Sequence, residues 1–326
     1  MKASIRGFYC PVDSIQIGEI PIPKPKAGEV KVRVICTTVN RTDLGVLTGK
    51  PYAMRLFAGL TKPKLPVTGT DFAGIIEAIG AGVTDFQVGD RVWGFDDNGA
   101  GTHGEYVCFS TKKAILHLPD QISFEEGVAC AEAAHYAVNF INKVSLKPGM
   151  EVLVNGGTGA IGSAAIQILK SKGISVTAVC YEKDLDKVRS LGPDRVIALE
   201  QIDFTKEDRQ YDFVFDAVGK SRFTHCKRVL KPKGIYISSE LGPGWENVWL
   251  ALAGKVYGQK KVIFPIPIDI LESMKVISGL VKSGKFRPLI DERKFHLSES
   301  KEAFAYVASG QKIGNVILQV DTKDGN

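Results

Sequence analysis

The stretch Glu151-Val-Leu-Val-Asn-Gly-Gly-Thr-Gly-Ala-Ile-Gly-Ser163 reads as an apolar strand, a tight glycine turn and the start of a helix. Gly157, Gly159 and Gly162 form G-x-G-x-x-G, with Ala164-Ala-Ile-Gln-Ile-Leu-Lys-Ser-Lys172 as the following helix. In such a turn the first glycine bends the chain and the second lets backbone approach a pyrophosphate. The third lets helix and strand pack closely, and the free N–H groups of the first helical turn face the phosphates. The cofactor-binding candidates are therefore Gly156, Gly157, Thr158, Gly159, Ala160, Ile161 and Gly162.

The same rhythm continues along the chain. Ser175–Cys180 is a strand, Leu185–Leu191 a helix, Arg195–Ala198 a short strand and Tyr211–Phe215 a strand ending at Asp216-Ala-Val-Gly219. A helix over Arg222–Leu230 and a strand over Gly234–Ser239 follow. Alternation of this kind predicts a doubly wound parallel sheet over about residues 121–266. Residues 1–120 differ: Val30-Lys-Val-Arg-Val-Ile35, Phe72–Ile79 and Asp90–Trp93 are short strands bounded by turn residues, as in a partly open β-barrel. The alternation in Val30–Ile35 predicts a half-buried strand. Residues 267–326 hold a helix, Ile268–Ser283, a final strand, Gly314–Val320, and a loose tail over the last six residues.

Composition bounds the function. The 326 residues are 44% hydrophobic, enough for two domain cores. The 42 basic and 36 acidic residues leave +6, dispersed along the chain, which argues against nucleic acid as a partner. The first residues lack the apolar core of a signal peptide, and no apolar run approaches the roughly 20 residues of a membrane helix. The expectation is a cytoplasmic protein with no membrane partner. Cys10, Cys36, Cys108, Cys130, Cys180 and Cys226 are scattered, with no C-x-x-C, and read as reduced and mostly buried.

Pro66-Val-Thr-Gly-Thr-Asp-Phe-Ala-Gly-Ile-Ile-Glu-Ala-Ile-Gly80, Phe86-Gln-Val-Gly-Asp-Arg-Val92, Asn155–Gly162 and Gly310-Gln-Lys-Ile-Gly-Asn-Val-Ile-Leu318 together resemble the medium-chain dehydrogenase/reductase superfamily over nearly the whole chain. The resemblance implies a GroES-like barrel domain, residues 1–120 completed by 267–326, with a Rossmann domain, 121–266, inserted. In the family's alcohol dehydrogenases a Cys and a Gly-His-Glu hold zinc. Here Asn40 stands for the Cys, Thr70 for the His and Asp71 for the Glu, and only Cys108 falls where a four-cysteine lobe would lie. Zinc wants thiolate and imidazole ligands. No metal is expected.

The zinc-independent branch resembled is that of quinone oxidoreductases and enone reductases, which implies hydride transfer from NADPH to a quinone or an α,β-unsaturated carbonyl. The resemblance makes Asn40 and Tyr136 the catalytic candidates, as donors to the developing enolate oxygen. His135 is a possible relay or simply a satisfied buried ring, and His103 reads as part of a barrel turn. Asp43 reads as fixing local backbone or pairing with Arg41. The strand Ser175–Cys180 ends without a carboxylate; Tyr181 can flank an adenine and Lys183 can meet a 2′-phosphate, which favours NADP(H), while Glu182 argues the other way. A tyrosine that often contacts the phosphate in this branch is missing near Ile197-Ala-Leu199. The apolar loop Leu47–Lys64 and Phe264-Pro-Ile-Pro267 suggest an apolar acceptor. The resemblance also implies a homodimer, paired across a twofold axis through an edge strand near Gly258–Phe264. An NADP(H)-binding interaction or sensor protein with little catalysis is the alternative.

Overall fold

The computed structural model describes residues 1–320 except 239, 257 and 258; the side chains of 57, 255 and 256 are likewise outside what is described. The expected loose tail, Ser239 and Gly258 lie outside the described residues.

The strands run β1 (Lys2–Ile5), β2 (Gln16–Glu19), β3 (Glu29–Val39), β4 (Asp71–Ile79), β5 (Arg91–Phe95), β6 (Tyr106–Ser110) and β7 (Ala114–His117). Then come β8 (Glu151–Asn155), β9 (Ser175–Cys180), β10 (Arg195–Ala198), β11 (Tyr211–Asp216), β12 (Leu230–Ser238), β13 (Lys255–Val256) and β14 (Lys260–Ile263), and finally β15 (Phe295–His296) and β16 (Val316–Gln319). Two compact units hold them. One comprises Met1–Glu132, Asp269–Lys282 and the described residues from Ile290 on; the other comprises Ala133–Ile268 and Ser283–Leu289.

In the first unit the sheet order is β15-β16-β3-β4-β5-β7, with β6 also paired to β3; this is the GroES-like, partly open barrel. β3 organises it. Val30, Val32 and Val34 are buried while Lys31 and Arg33 between them are half-buried, as the alternation predicts. The buried valines pack with Phe72, Ile76 and Phe109. The C-terminal strand β16 returns antiparallel to β3, Val316 facing Val39.

The second unit is the Rossmann sheet, order β10-β9-β8-β11-β12-β14-β13, parallel except for β13. β8 is buried on Val152, Leu153, Val154 and Asn155, the near-continuous burial of a strand covered on both faces. The order reverses at β8: the chain leaves it first for β9 on one side and later for β11 on the other. The carboxyl ends of these three strands are the switch point where α/β sheets bind ligands.

Two expectations change. The helix over Arg222–Leu230 is only Phe223–Cys226 followed by one 3₁₀ turn, because Leu230 is claimed by the sheet, pairing with Tyr211. The Lys260–Ile263 strand is not an edge: β13 turns back antiparallel and covers it. Five of the six cysteines are buried, Cys108 is half-buried, and all are free thiols. Among the described residues no helix is long and apolar enough to cross a membrane.

Candidate cofactor site and polar cluster

The helix Ala160–Ser171 starts immediately after the glycine turn, with Gly159 at its N-cap and no side chain to bond the first-turn amides. The N–H groups of Ala160, Ile161 and Gly162 have no carbonyl one turn back to bond, so they remain donors at the positive end of the helix. Gly156 and Gly157 both donate to Val179 O, at 3.0 and 2.8 Å, which ties the turn to β9. The tight-turn role falls to Gly156, not Gly157. Gly156 has φ +88°, whereas Gly157 is packed among Ile166, Val188 and Ala178. Gly162 does what the motif requires of its third glycine: a Cβ there would lie 2.1 Å from Gly156 O. The turn fits a dinucleotide pyrophosphate, a group carrying two negative charges against unpaired amides.

β9 delivers Tyr181 next. The residue is 41% exposed. Lys183 is exposed and, among the described residues, has no hydrogen-bond or ion-pair partner. Glu182, the residue that argues against a phosphate, accepts from Gln201 Nε2 at 2.5 Å. Its carboxylate is thereby drawn toward β10 and its following turn.

The loop after β11 reaches the same end of the sheet. Asp216 is fully buried and accepts from Asn155 Nδ2 at 3.0 Å, Gly219 N at 3.1 Å, Ser221 N at 3.1 Å and Tyr236 Oη at 2.9 Å. Val218 lies against the glycine turn, where a Cβ on Gly156 would meet it at 2.3 Å. Lys220 Nζ then donates to Tyr181 Oη at 3.4 Å and lies 5.8 Å from the ring centroid. The sequence reading found the strand end at Asp216 but not this reach; the signal was a glycine and a lysine just past a strand at the switch point.

Tyr136 is half-buried on the helix Glu132–Asn142, its ring edge-on to His135 at 5.4 Å. His135 is fully buried, its Nδ1 3.2 Å from Asn139 Nδ2. Burial holds its pKa down to about 4, so the ring is neutral near pH 7.

Asn40 belongs to a buried polar cluster in the first unit. It caps the helix Arg41–Thr48: Asp43 N donates to Asn40 Oδ1 at 2.8 Å and Asn40 N donates to Asp43 Oδ2 at 3.0 Å. Asp43 thus fixes backbone, one of its two expected roles. Asn40 Nδ2 donates to Thr70 Oγ1 at 3.0 Å and to Thr38 Oγ1 at 3.3 Å. Asp71 accepts from Thr38 N at 2.8 Å, Thr38 Oγ1 at 2.6 Å and Thr37 Oγ1 at 3.0 Å. Burial nevertheless outweighs these donors and pushes the Asp71 carboxyl up to about 7. Asp43 is raised well above the carboxylate range, by burial first and by the charge of Asp71 second. His103 is buried with Nε2 2.9 Å from Thr38 O, so that nitrogen carries the proton and Nδ1, 2.9 Å from Thr68 Oγ1, accepts. Burial lowers its pKa to about 4.

The acceptor-side candidates are partly exposed. In the Leu47–Lys64 segment Tyr52, Leu56 and Leu60 are 67–68% exposed, and Ile266 of the Phe264–Pro267 stretch is 65% exposed. The side chain of Phe57 lies outside the described residues.

Two family models match the chain: the alcohol dehydrogenase GroES-like domain over residues 26–120 and the zinc-binding dehydrogenase over residues 191–318. The chain is 28% identical over 315 residues to the chloroplast envelope quinone oxidoreductase homolog of Arabidopsis thaliana, covering 92% of each protein. It is 28% identical to the NADPH-dependent alkenal/one oxidoreductase, chloroplastic, of the same plant, covering 98% of this chain and 79% of that one. The quinone oxidoreductase from Coxiella burnetii superposes with a TM-score of 0.86 at 24% identity, over 98% of this chain and 99% of that one, a likeness of fold.

Proposed function

The chain belongs to the medium-chain dehydrogenase/reductase superfamily, in its quinone oxidoreductase and enone reductase branch, and from that premise we propose that it reduces a quinone or an α,β-unsaturated carbonyl with NADPH. The observation that carries the reading is the glycine turn at the switch point, with free amides at Ala160–Gly162 and a β9 end that offers Tyr181 and Lys183 while Glu182 is bonded elsewhere. When bound, the reduced nicotinamide supplies the hydride. The amides of the Ala160 turn hold the pyrophosphate, Tyr181 flanks the adenine, and Lys183 meets the 2′-phosphate. Glycine at 156 and 162 keeps the turn closed enough for those amides to converge.

Toward the acceptor, the chain needs to hold a carbonyl oxygen as charge builds on it. Tyr136 donates from its phenol, and the neutral His135 ring beside it limits where that phenol can swing. In the other unit, taken by itself, Asn40 is the residue proposed as a donor. Its Nδ2 has three acceptors, Thr70 Oγ1 at 3.0 Å, Thr38 Oγ1 at 3.3 Å and Asp71 Oδ2 at 3.5 Å, and a substrate oxygen would take the place of one of the two looser ones.

Zinc is not part of the proposal. Asn40, Thr70 and Asp71 stand at the zinc-ligand positions; Asn40 Nδ2 is donor-only, and Oδ1, the one atom of the amide with a lone pair to offer, already accepts from Asp43 N at 2.8 Å. That donor set does not fit the ion named by the second family model. A homodimer is retained as an expectation, tested by the mass of the particle in light scattering. The function itself is tested by following NADPH consumption with a benzoquinone, a naphthoquinone and an enal, with and without chelator. Turnover unaffected by chelator is expected. Chelator-sensitive turnover would overturn the metal-independent reading.

A further inference from the structure

We infer that Lys220, on the loop after β11, is a second cation for the cofactor's adenosine 2′-phosphate and so a determinant of NADPH over NADH. The inference rests on the NADP(H) reading above and extends it to a residue far in sequence from the end of β9.

β9, β8 and β11 are consecutive in the sheet and parallel, so their carboxyl ends lie side by side. To affect a ligand at the end of β9, a residue after β11 must cross the glycine turn after β8. The loop does cross it: Ala217 N donates to Asn155 O at 3.0 Å, and Val218 lies on Gly156. Gly219, with φ +64°, then redirects the chain. Lys220 consequently ends on Tyr181, the residue that closes β9.

The loop is held in this course by a buried anchor. Asp216 binds two of its backbone amides, Gly219 N and Ser221 N, while its other donors come from β8 and β12. A lysine placed by such a loop pays less of its ordering cost when it binds. Its ammonium has three N–H donors, and the only acceptor it has among the described residues is the Tyr181 hydroxyl, at 3.4 Å. The Tyr181 contact is weak and largely exposed, so it leaves the charge available. With Lys183 two residues beyond Tyr181, the two lysines supply positive charge to the place where an adenosine ribose would lie, and the 2′-phosphate is the group there whose charge they would match.

The two nucleotides differ only in that phosphate, which makes affinity rather than activity the readout. Dissociation constants for NADPH and NADH are measured by calorimetry with the wild type, Lys183→Ala, Lys220→Ala and Lys220→Arg. Lys220→Ala is expected to weaken NADPH by about tenfold, the worth of one charge-assisted hydrogen bond, with NADH unchanged. Lys220→Arg should recover most of the loss. Unchanged NADPH affinity in Lys220→Ala would overturn the inference. So would an equal loss for NADH, which would assign Lys220 to the pyrophosphate or to loop folding. If the wild type itself prefers NADH or binds neither nucleotide, the NADP(H) reading falls and the inference with it; a wild type that prefers NADPH while Lys220→Ala keeps that preference overturns the inference alone.

Discussion

Asn40 caps a helix, and two substitutions can separate that cap from the donor role proposed for the residue, where one cannot. Serine caps a helix about as well as asparagine but has no amide to donate. Asn40→Ser should therefore keep stability close to wild type while lowering kcat/KM, whereas Asn40→Ala should also lose about 1 kcal/mol of stability. Tyr136→Phe keeps the ring and removes the donor, and a loss of roughly 10–100-fold in kcat with KM little changed is expected if the phenol acts in the transition state. Steady-state kinetics beside thermal melts of the three variants check both points. The cap was legible only from its Asp43 side, which reads as fixing local backbone. The bond of Asn40 to Thr70 was not, because thirty residues separate the two and only the pairing of β3 with β4 brings their ends together.

At the scale of the element, the glycine turn is where sequence and structure agree most closely, and where they part in one detail. The motif names three glycines, yet the left-handed conformation belongs to Gly156, one residue before the first of them. A periodic pattern cannot say which of two adjacent glycines bends; the packing of Val218 on Gly156 and of Ile166 and Val188 on Gly157 decides it. Gly162→Ala would place a methyl against a backbone oxygen at 2.1 Å, with no side chain able to give way. The helix must then back away from the turn. The expected result is a loss of about 1–3 kcal/mol in stability and a collapse of dinucleotide affinity, read by calorimetry. Element boundaries elsewhere were legible to within a few residues. The failed helix at Arg222–Leu230 shows why: Leu230 is equally apolar in either state, and only its strand partner Tyr211, nineteen residues earlier, settles the choice.

For the whole molecule, buried ionisable groups set how stability follows pH. Asp71, and with it Asp43, has a folded pKa above its ordinary value, so the native state binds more protons than the unfolded chain across that range. Stability from Asp71 is present below about pH 4 and is lost as pH rises toward about 7, and the raised Asp43 adds to the trend in the same direction. His103 and His135 act the other way. Their folded pKa values, about 4, lie below the usual 6.5, so stability is lost as pH falls from 6.5 toward 4. The two trends oppose one another below pH 6.5, and above it the carboxyl trend remains. Asp71→Asn should remove part of the decline. Its denaturation midpoint relative to wild type should rise between pH 5 and 7, by a free energy of up to about 1.4 kcal/mol per pH unit, and level off above. A constant difference across that window would place the Asp71 carboxyl in its ordinary range.

The two-unit architecture and the glycine turn were readable because each depends on local pattern. The polar cluster and the reach of Lys220 depend on strand order, which no local pattern carries. The central claim, direct hydride transfer from NADPH, is tested most directly by a single turnover with an enal and NADPH deuterated at the transferred position, the product being analysed by mass spectrometry. One deuterium at the β-carbon of the saturated product is the predicted result. Tight NADPH binding with no deuterated product from any enal or quinone tried would contradict it, and would leave a protein that holds its cofactor without using it.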